Sequence, residues 1–232
     1  MRLACVSLFL AIGTAQAQNQ AAADEFWPEL DVYWKLSQNT RLDFVAKSTR
    51  DQDESTFNRA AGIYLDVFVP HFLPIVFRPL TELDDGRMQR IKIRVAYLYN
   101  HSFRQTPVIV EHRPFVDGTW AWVFPRDLLA TDRNRFEFRI KNGVYSWRYR
   151  NQFRLERDVR LAGHAITPFV SAEAFYDSAP GAWNRFRFQA GTVVPFGSHF
   201  GVESYFARQI TEFVQIRNGN ALGLTLNFYV NR

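Results

Sequence analysis

One residue of the 232 is cysteine, and Cys5 lies early in a short N-terminal apolar run, not where a lipoprotein acceptor would stand. A chain that loses this run has no thiol. That excludes disulfides, thiolate nucleophiles and cysteine-ligated metals, and it suits an oxidising export route. Also missing is any uninterrupted apolar stretch near the ~20 residues that a membrane helix requires. No segment repeats its apolar residues at helical spacing. Charge of one sign is only in mild excess, at a formal +5. With no basic tail and no recognition helix, nucleic acid is excluded as a partner.

What is present begins with an export signal. Met1 and Arg2 form a basic start, Leu3 to Ile12 a compact apolar run, and Ala15-Gln16-Ala17 a small-residue cleavage site. Residues 1–17 are therefore expected to be a cleaved signal peptide, and residues 18–232 a single β-barrel domain. Loss of Arg2 lowers the formal charge from +5 to +4. Of the 28 basic residues 24 are arginine, and many fall on strand faces. The planar guanidinium suits buried networks with carboxylates and also lipid phosphates.

Strict alternation of apolar and polar residues dominates the remainder. In Tyr145 to Arg157, Tyr145, Trp147, Tyr149, Phe153 and Leu155 share one face, and Ser146, Arg148, Arg150, Gln152, Arg154 and Glu156 the other. Ile91, Ile93, Val95, Tyr97 and Tyr99 likewise oppose Arg90, Lys92, Arg94 and Asn100. The pattern recurs at Leu30 to Leu36, Leu42 to Ala46, Ile63 to Val67, Phe136 to Ile140, Val170 to Tyr176, Phe186 to Ala190, Phe200 to Phe206 and Leu222 to Val230. Such strands need two solvents. A row of aromatics opposite a row of arginines, repeated along the chain, fits lipid outside and a polar lumen inside. The predicted fold is all-β, an antiparallel up-and-down transmembrane β-barrel.

Turn signals at Gln38-Asn39, Asn142-Gly143, Ala179-Pro180-Gly181, Gly197-Ser198 and Asn218-Gly219 separate the strands. Two connections are less regular, Pro70 to Asp85 and Pro125 to Arg133. A short strand at Phe72 to Phe77 inside the first brings the count to about twelve. An even number is preferred because it returns both termini to one side, and ten is the alternative.

EHRPF at 111 to 115, DRNRFEFR at 132 to 139, NGVYSWRYRNQFRLER at 142 to 157, TPFVSAEAFYDS at 167 to 178, WNRFRFQAG at 183 to 191 and VESYFARQ at 202 to 209 carry a resemblance. With these segments the chain resembles a family of exported bacterial proteins catalogued as a domain of unknown function and regarded as outer-membrane β-barrels. The resemblance implies architecture and a location in the outer membrane, but no reaction, ligand or catalytic residues. Many outer-membrane proteins end on an aromatic residue, whereas here Phe228-Tyr229 is followed by Val230-Asn231-Arg232.

Catalytic chemistry finds little support. His101-Ser102 with Glu111 and His112 could be parts of a serine-type lipid hydrolase, but no nucleophile elbow is visible. His71, His164 and His199 are widely spaced near turns, without metal-ligand spacing. No catalytic, cofactor-binding or metal residues are assigned, and no cofactor is implied. Trp34, Trp120, Trp122, Trp147 and Trp183 are expected to include interfacial anchors.

The polar faces hold the groups of interest. Glu111, Glu137, Glu156, Glu173 and Glu203 sit among Arg94, Arg113, Arg135, Arg139, Arg148, Arg150, Arg154, Arg185 and Arg187, and lone charges inside a narrow barrel would be costly unless paired. The preferred reading is an interior Arg/Glu network. The alternative is an ion or ligand pathway lined by the same groups, which an excess of positive charge would bias toward anions. Three functional classes follow: a non-enzymatic outer-membrane barrel, structural or a narrow pore for small solutes; an outer-membrane lipid-modifying enzyme; and a soluble periplasmic barrel binding an apolar ligand. The partners expected are outer-membrane lipid, the barrel-assembly machinery and a small solute.

Overall fold

The computed structural model describes residues 23–50, 57–69, 91–103, 108–213 and 215–230. The signal segment and the candidate strand at Phe72 to Phe77 lie outside them. Among the described residues there are twelve strand segments: β1 Ala23–Lys35, β2 Thr40–Arg50, β3 Phe57–Val69, β4 Ile91–Phe103, β5 Ile109–Phe124, β6 Leu128–Lys141, β7 Val144–Arg157, β8 Val159–Leu161, β9 His164–Asp177, β10 Ala182–Phe196, β11 Phe200–Phe213 and β12 Gln215–Val230.

Each strand pairs with its neighbour in sequence, and pairing of β1 with β12 closes the sheet into a barrel. β8 is the exception. Only three residues long, it continues the course of β7 beyond Asp158 and pairs with the start of β9 alone. Eleven strands therefore build the wall. The expectation of an even wall fails at the seam, where β1 and β12 run parallel, Phe26 opposite Leu222 and Trp34 opposite Val230. Eleven strands are joined by ten antiparallel steps, and an even number of reversals leaves the first and last strands pointing the same way. No strand stands between β3 and β4 in the wall, since Val69 to Phe57 of β3 pair directly with Ile91 to Phe103 of β4. The end at which β1, β3, β5, β7, β10 and β12 begin is called the near end below, and the opposite one the far end.

Local sequence explains the tight turns. Asn142 and Gly143 both have positive φ (48° and 83°), the conformation a two-residue type I′ hairpin demands and these residues supply cheaply. The Asn142 amide also accepts a bond from the Val110 N–H (2.8 Å) and donates to the Val108 carbonyl (3.2 Å), tying the turn to β5. Asn218-Gly219 is not a turn. Both residues lie in β12, opposite Ile210 and Gln209. Continuous pairing with β11 outweighs the local turn preference there. The irregular connection Pro125 to Arg133 is shorter than expected, a single 3-10 turn at Pro125–Asp127, and β6 then starts at Leu128.

Period-2 alternation becomes two environments. Exposed large apolar side chains lie on every wall strand, among them Phe26, Phe44, Ile63, Val95, Trp120, Phe136, Trp147, Val170, Phe188, Phe206 and Leu222. The inward face carries most of the charge, together with an apolar patch of Val45, Ala60, Tyr64, Ala96, Leu98 and Phe115 on β2 to β5.

One close approach fixes the wall near the seam. Tyr205 of β11 has Gly191 beside it on β10 and Gly223 on β12. A Cβ on Gly223 would fall 2.0 Å from the Tyr205 ring, and one on Gly191 2.3 Å from the Ser204 carbonyl oxygen. Gly223→Ala must therefore expel the ring, at an expected cost of ~1 to 3 kcal/mol. Urea unfolding of the purified variant in detergent reads this; an unchanged midpoint would show that Tyr205 has room to move.

Candidate lumen site

Three tiers of charge line the barrel interior. Toward the far end, Asp66 accepts from Arg41 Nη2 (2.8 Å), Arg94 Nε (2.5 Å) and Arg94 Nη2 (2.9 Å), while Arg94 also lies 3.1 Å from Asp43. Beside them Asp117 accepts from Arg135 Nε (2.9 Å) and Nη2 (2.6 Å). Residues at i and j on adjacent strands share a face, so β2, β3 and β4 bring Arg41, Asp43, Asp66 and Arg94 together by register; Asp66 stands opposite both Arg41 and Arg94.

The middle tier is built around two carboxylates. Glu137, 1% exposed, accepts from Arg150 Nη1 (2.8 Å) and has Arg113, Arg135 and Arg148 at 3.9 to 4.0 Å. Glu173 accepts from Arg150 Nη2 (2.7 Å) and Arg133 Nη2 (2.9 Å), with Arg187 at 3.7 Å. Arg150 thus bridges β6 and β9. Aromatic faces complete its surroundings: Phe175 lies 4.7 Å from the Arg150 guanidinium, and Phe115 lies 4.0 Å from that of Arg135. Stacking of this kind satisfies guanidinium planes that have no further acceptor.

Near-end groups form the third tier. Glu111 accepts from Arg113 Nε (3.0 Å) and Arg139 Nε (2.6 Å), and Asp177 from Arg148 Nε (2.5 Å). Two contacts span the barrel rather than one strand pair. Arg154 of β7 reaches Glu203 of β11 (3.4 Å) while also bonding Glu156 (2.8 Å), and Arg187 of β10 stacks on Trp27 of β1 (4.7 Å).

The structure thus brings together Arg94, Glu111, Arg113, Arg135, Glu137, Arg139, Arg148, Arg150, Arg154, Glu156, Glu173 and Arg187 in ion pairs, with Glu203 held more loosely. Arg185 faces inward but has no carboxylate within ion-pair distance among the described residues; its guanidinium lies 5.7 Å over Phe175. Sequence reasoning left out Asp43, Asp66, Asp117 and Asp177, the acids that pair Arg94, Arg135 and Arg148. The signal was available: Asp43 lies between Leu42 and Phe44, and Asp66 between Leu65 and Val67, on the polar parity of their strands. Trp27, Tyr64, Phe115, Phe169 and Phe175 were hidden by the same rule, since an aromatic on the polar parity reads as an interruption.

The parts of a hydrolase do not converge. Ser102 points inward and donates to Asn58, and its neighbour His101 points to the opposite face. His112 is exposed outside, against the Tyr97 hydroxyl and the Tyr99 ring, whereas Glu111 is committed to Arg113 and Arg139. Trp34, Trp120, Trp122, Trp147 and Trp183 are all exposed on the outer surface. Trp147, Tyr176 and Trp183 make a contiguous cluster toward the near end, with ring centroids 5.4 and 5.7 Å apart. One polar island interrupts the outer face. Asp132 accepts from Asn134 (2.9 Å) and Asn151 (2.6 Å), and the Tyr149 hydroxyl donates to Asn134, so the island satisfies itself.

A family model described as a protein of unknown function (DUF2490) matches residues 87–219. The chain belongs to this family. The DUF2490 segment runs from just before β4 into β12 and so contains all of the ion-paired groups from Arg94 to Glu203, while Arg41, Asp43 and Asp66 lie before it. No curated protein matches the chain. Among solved structures, the DUF2490 barrel is similar to the crystal structure of the beta domain of the Bordetella autotransporter BrkA, at 12% identity over 82% of this chain and 83% of that one, with a TM-score of 0.49.

Proposed function

We propose that this protein is a non-enzymatic outer-membrane β-barrel, exported by its N-terminal signal, inserted by the barrel-assembly machinery, and structural rather than conducting. The observation that carries the reading is the division of the wall. Exposed Phe, Trp, Tyr, Ile, Leu and Val side chains lie on the outside of all eleven strands, while Asp66, Asp117, Glu137 and Glu173 lie buried inside against arginines. A soluble barrel binding an apolar ligand needs the reverse arrangement. Wall strands of 11 to 16 residues are long enough for the ~9 to 11 that cross a bilayer at a tilt. Exposed tryptophans toward both ends, Trp147 and Trp183 near and Trp34 and Trp122 far, suit the two interfaces.

Fractionation of cells tests the location. The protein is expected in the outer-membrane fraction, released by detergent, with gel mobility that changes on boiling; recovery as a soluble periplasmic monomer without detergent would overturn the reading. The ion-paired middle tier argues against an open channel. In planar bilayers the unmodified protein is expected to show no steady conductance, and exchanging both Arg148 and Arg150 for Glu is expected to lower stability without opening one. A stable, cation-selective channel in the unmodified protein would contradict this assignment of the lumen.

A further inference from the structure

Above the middle tier, at the near end, the lumen is not filled. A cavity of about 190 Å³ remains, and its lining has eight lysine or arginine side chains against two carboxylates, Glu29 and Glu111. Glu111 is already engaged by Arg113 and Arg139. The carboxylates behind the lining are engaged as well: Asp177 by Arg148, and Glu137 and Glu173 by Arg150. Three cationic groups on the lining, Arg185, Lys141 and Lys47, have no ion pair with a described carboxylate.

Arg185 is the most telling of them. β10 holds it opposite Phe175 and Thr211, with Arg187 two residues along the same face. Its Nε is buried and has no hydrogen-bond partner among the described residues. Elsewhere in this lumen a buried guanidinium is matched to a carboxylate, a side-chain amide or both, as Arg187 is by the Gln209 oxygen at 2.7 Å. A cationic donor left unbonded beside a polar cavity is costly unless something else supplies the acceptor. A planar guanidinium fork is matched in shape by the oxygens of a phosphate group.

We propose that the near-end cavity binds a small phosphate-bearing anion of at least two negative charges, with Arg185 as its principal contact and Lys141 and Lys47 neutralising the remaining charge. The proposal rests on the reading of the lumen as filled below this cavity, which makes the site a dead-ended pocket rather than part of a conduit. The size restricts the ligand to a small group such as pyrophosphate or a phosphomonoester headgroup. The two sources share one chemistry, a terminal phosphate.

Isothermal titration of the purified, detergent-solubilised full chain at fixed ionic strength tests it, with pyrophosphate in one arm and a short-chain phosphatidate in the other. Saturable binding of one pyrophosphate per chain is expected, weakened at least about tenfold in Arg185→Gln by loss of a charge-assisted contact. Arg160→Gln, on the exposed β8–β9 hairpin at the far end, should leave binding unchanged. Binding of phosphatidate with no binding of pyrophosphate would identify a lipid headgroup as the source, with the same dependence on Arg185. Absence of saturable binding in both arms would overturn the proposal, as would equal binding by Arg185→Gln and the unmodified protein. Each variant is first checked for the heat-modifiable gel band. That band reports the barrel reading, so its loss and a failed titration are distinguishable.

Discussion

Replacing Glu137 by alanine is expected to destabilise the protein by about 3 to 5 kcal/mol, the cost typical of removing one partner from a buried ion pair. Glu137 is almost fully enclosed and faces four guanidiniums, those of Arg150, Arg113, Arg135 and Arg148. Its removal would leave Arg150 with Glu173 alone and would set like charges against one another within a low-dielectric lumen. Glu203→Gln is the comparison. That carboxylate is about a fifth exposed and among the described residues meets only Arg154, at 3.4 to 3.5 Å, so solvent screening should hold its loss to about 1 kcal/mol or less. Reversible urea unfolding of both variants in the same detergent measures the difference. Similar midpoints would mean that the middle tier is hydrated and contributes little as a unit.

Phe153→Arg is expected to cost about 2 to 4 kcal/mol in lipid, because the side chain stands on the outer wall between Asp132 of β6 and Ala172 of β9. Gln152 is its neighbour in sequence and faces the other way, donating weakly to the Gln189 oxygen at 3.4 Å. Gln152→Ala should lose no more than about 1 kcal/mol. The contrast is larger in phospholipid vesicles than in micelles if the outer face meets a hydrocarbon slab, since snorkelling is easier in a small micelle. Equal tolerance at positions 152 and 153 would show that the outer wall faces water.

Much of this arrangement is legible along the chain, because the side-chain period of a strand admits no compromise. Once Trp147 is outward, Arg148 and Arg150 must be inward, and the same parity separates His101 from Ser102 and Glu111 from His112, which removes the hydrolase reading. Parity is silent about partners. Arg94 finds Asp66 and Asp43 rather than a glutamate because β2, β3 and β4 place those positions side by side, a matter of register between strands far apart in sequence. Trp27 is not legible for a related reason: its contact with Arg187 depends on β1 closing onto β12, which brings β1 to within three strands of β10 around the wall.

By itself the sequence determined the class of fold, the two faces of each strand and the turn at Asn142-Gly143, since alternation and positive-φ residues act over a few neighbouring positions. Only the tertiary structure decided the number of strands in the wall, the parallel seam, the reading of Asn218-Gly219 as strand, and which arginine meets which carboxylate. Closure of the barrel sets these. It couples residues nearly two hundred positions apart, and it leaves a fixed internal volume in which some guanidiniums are paired and Arg185 is not.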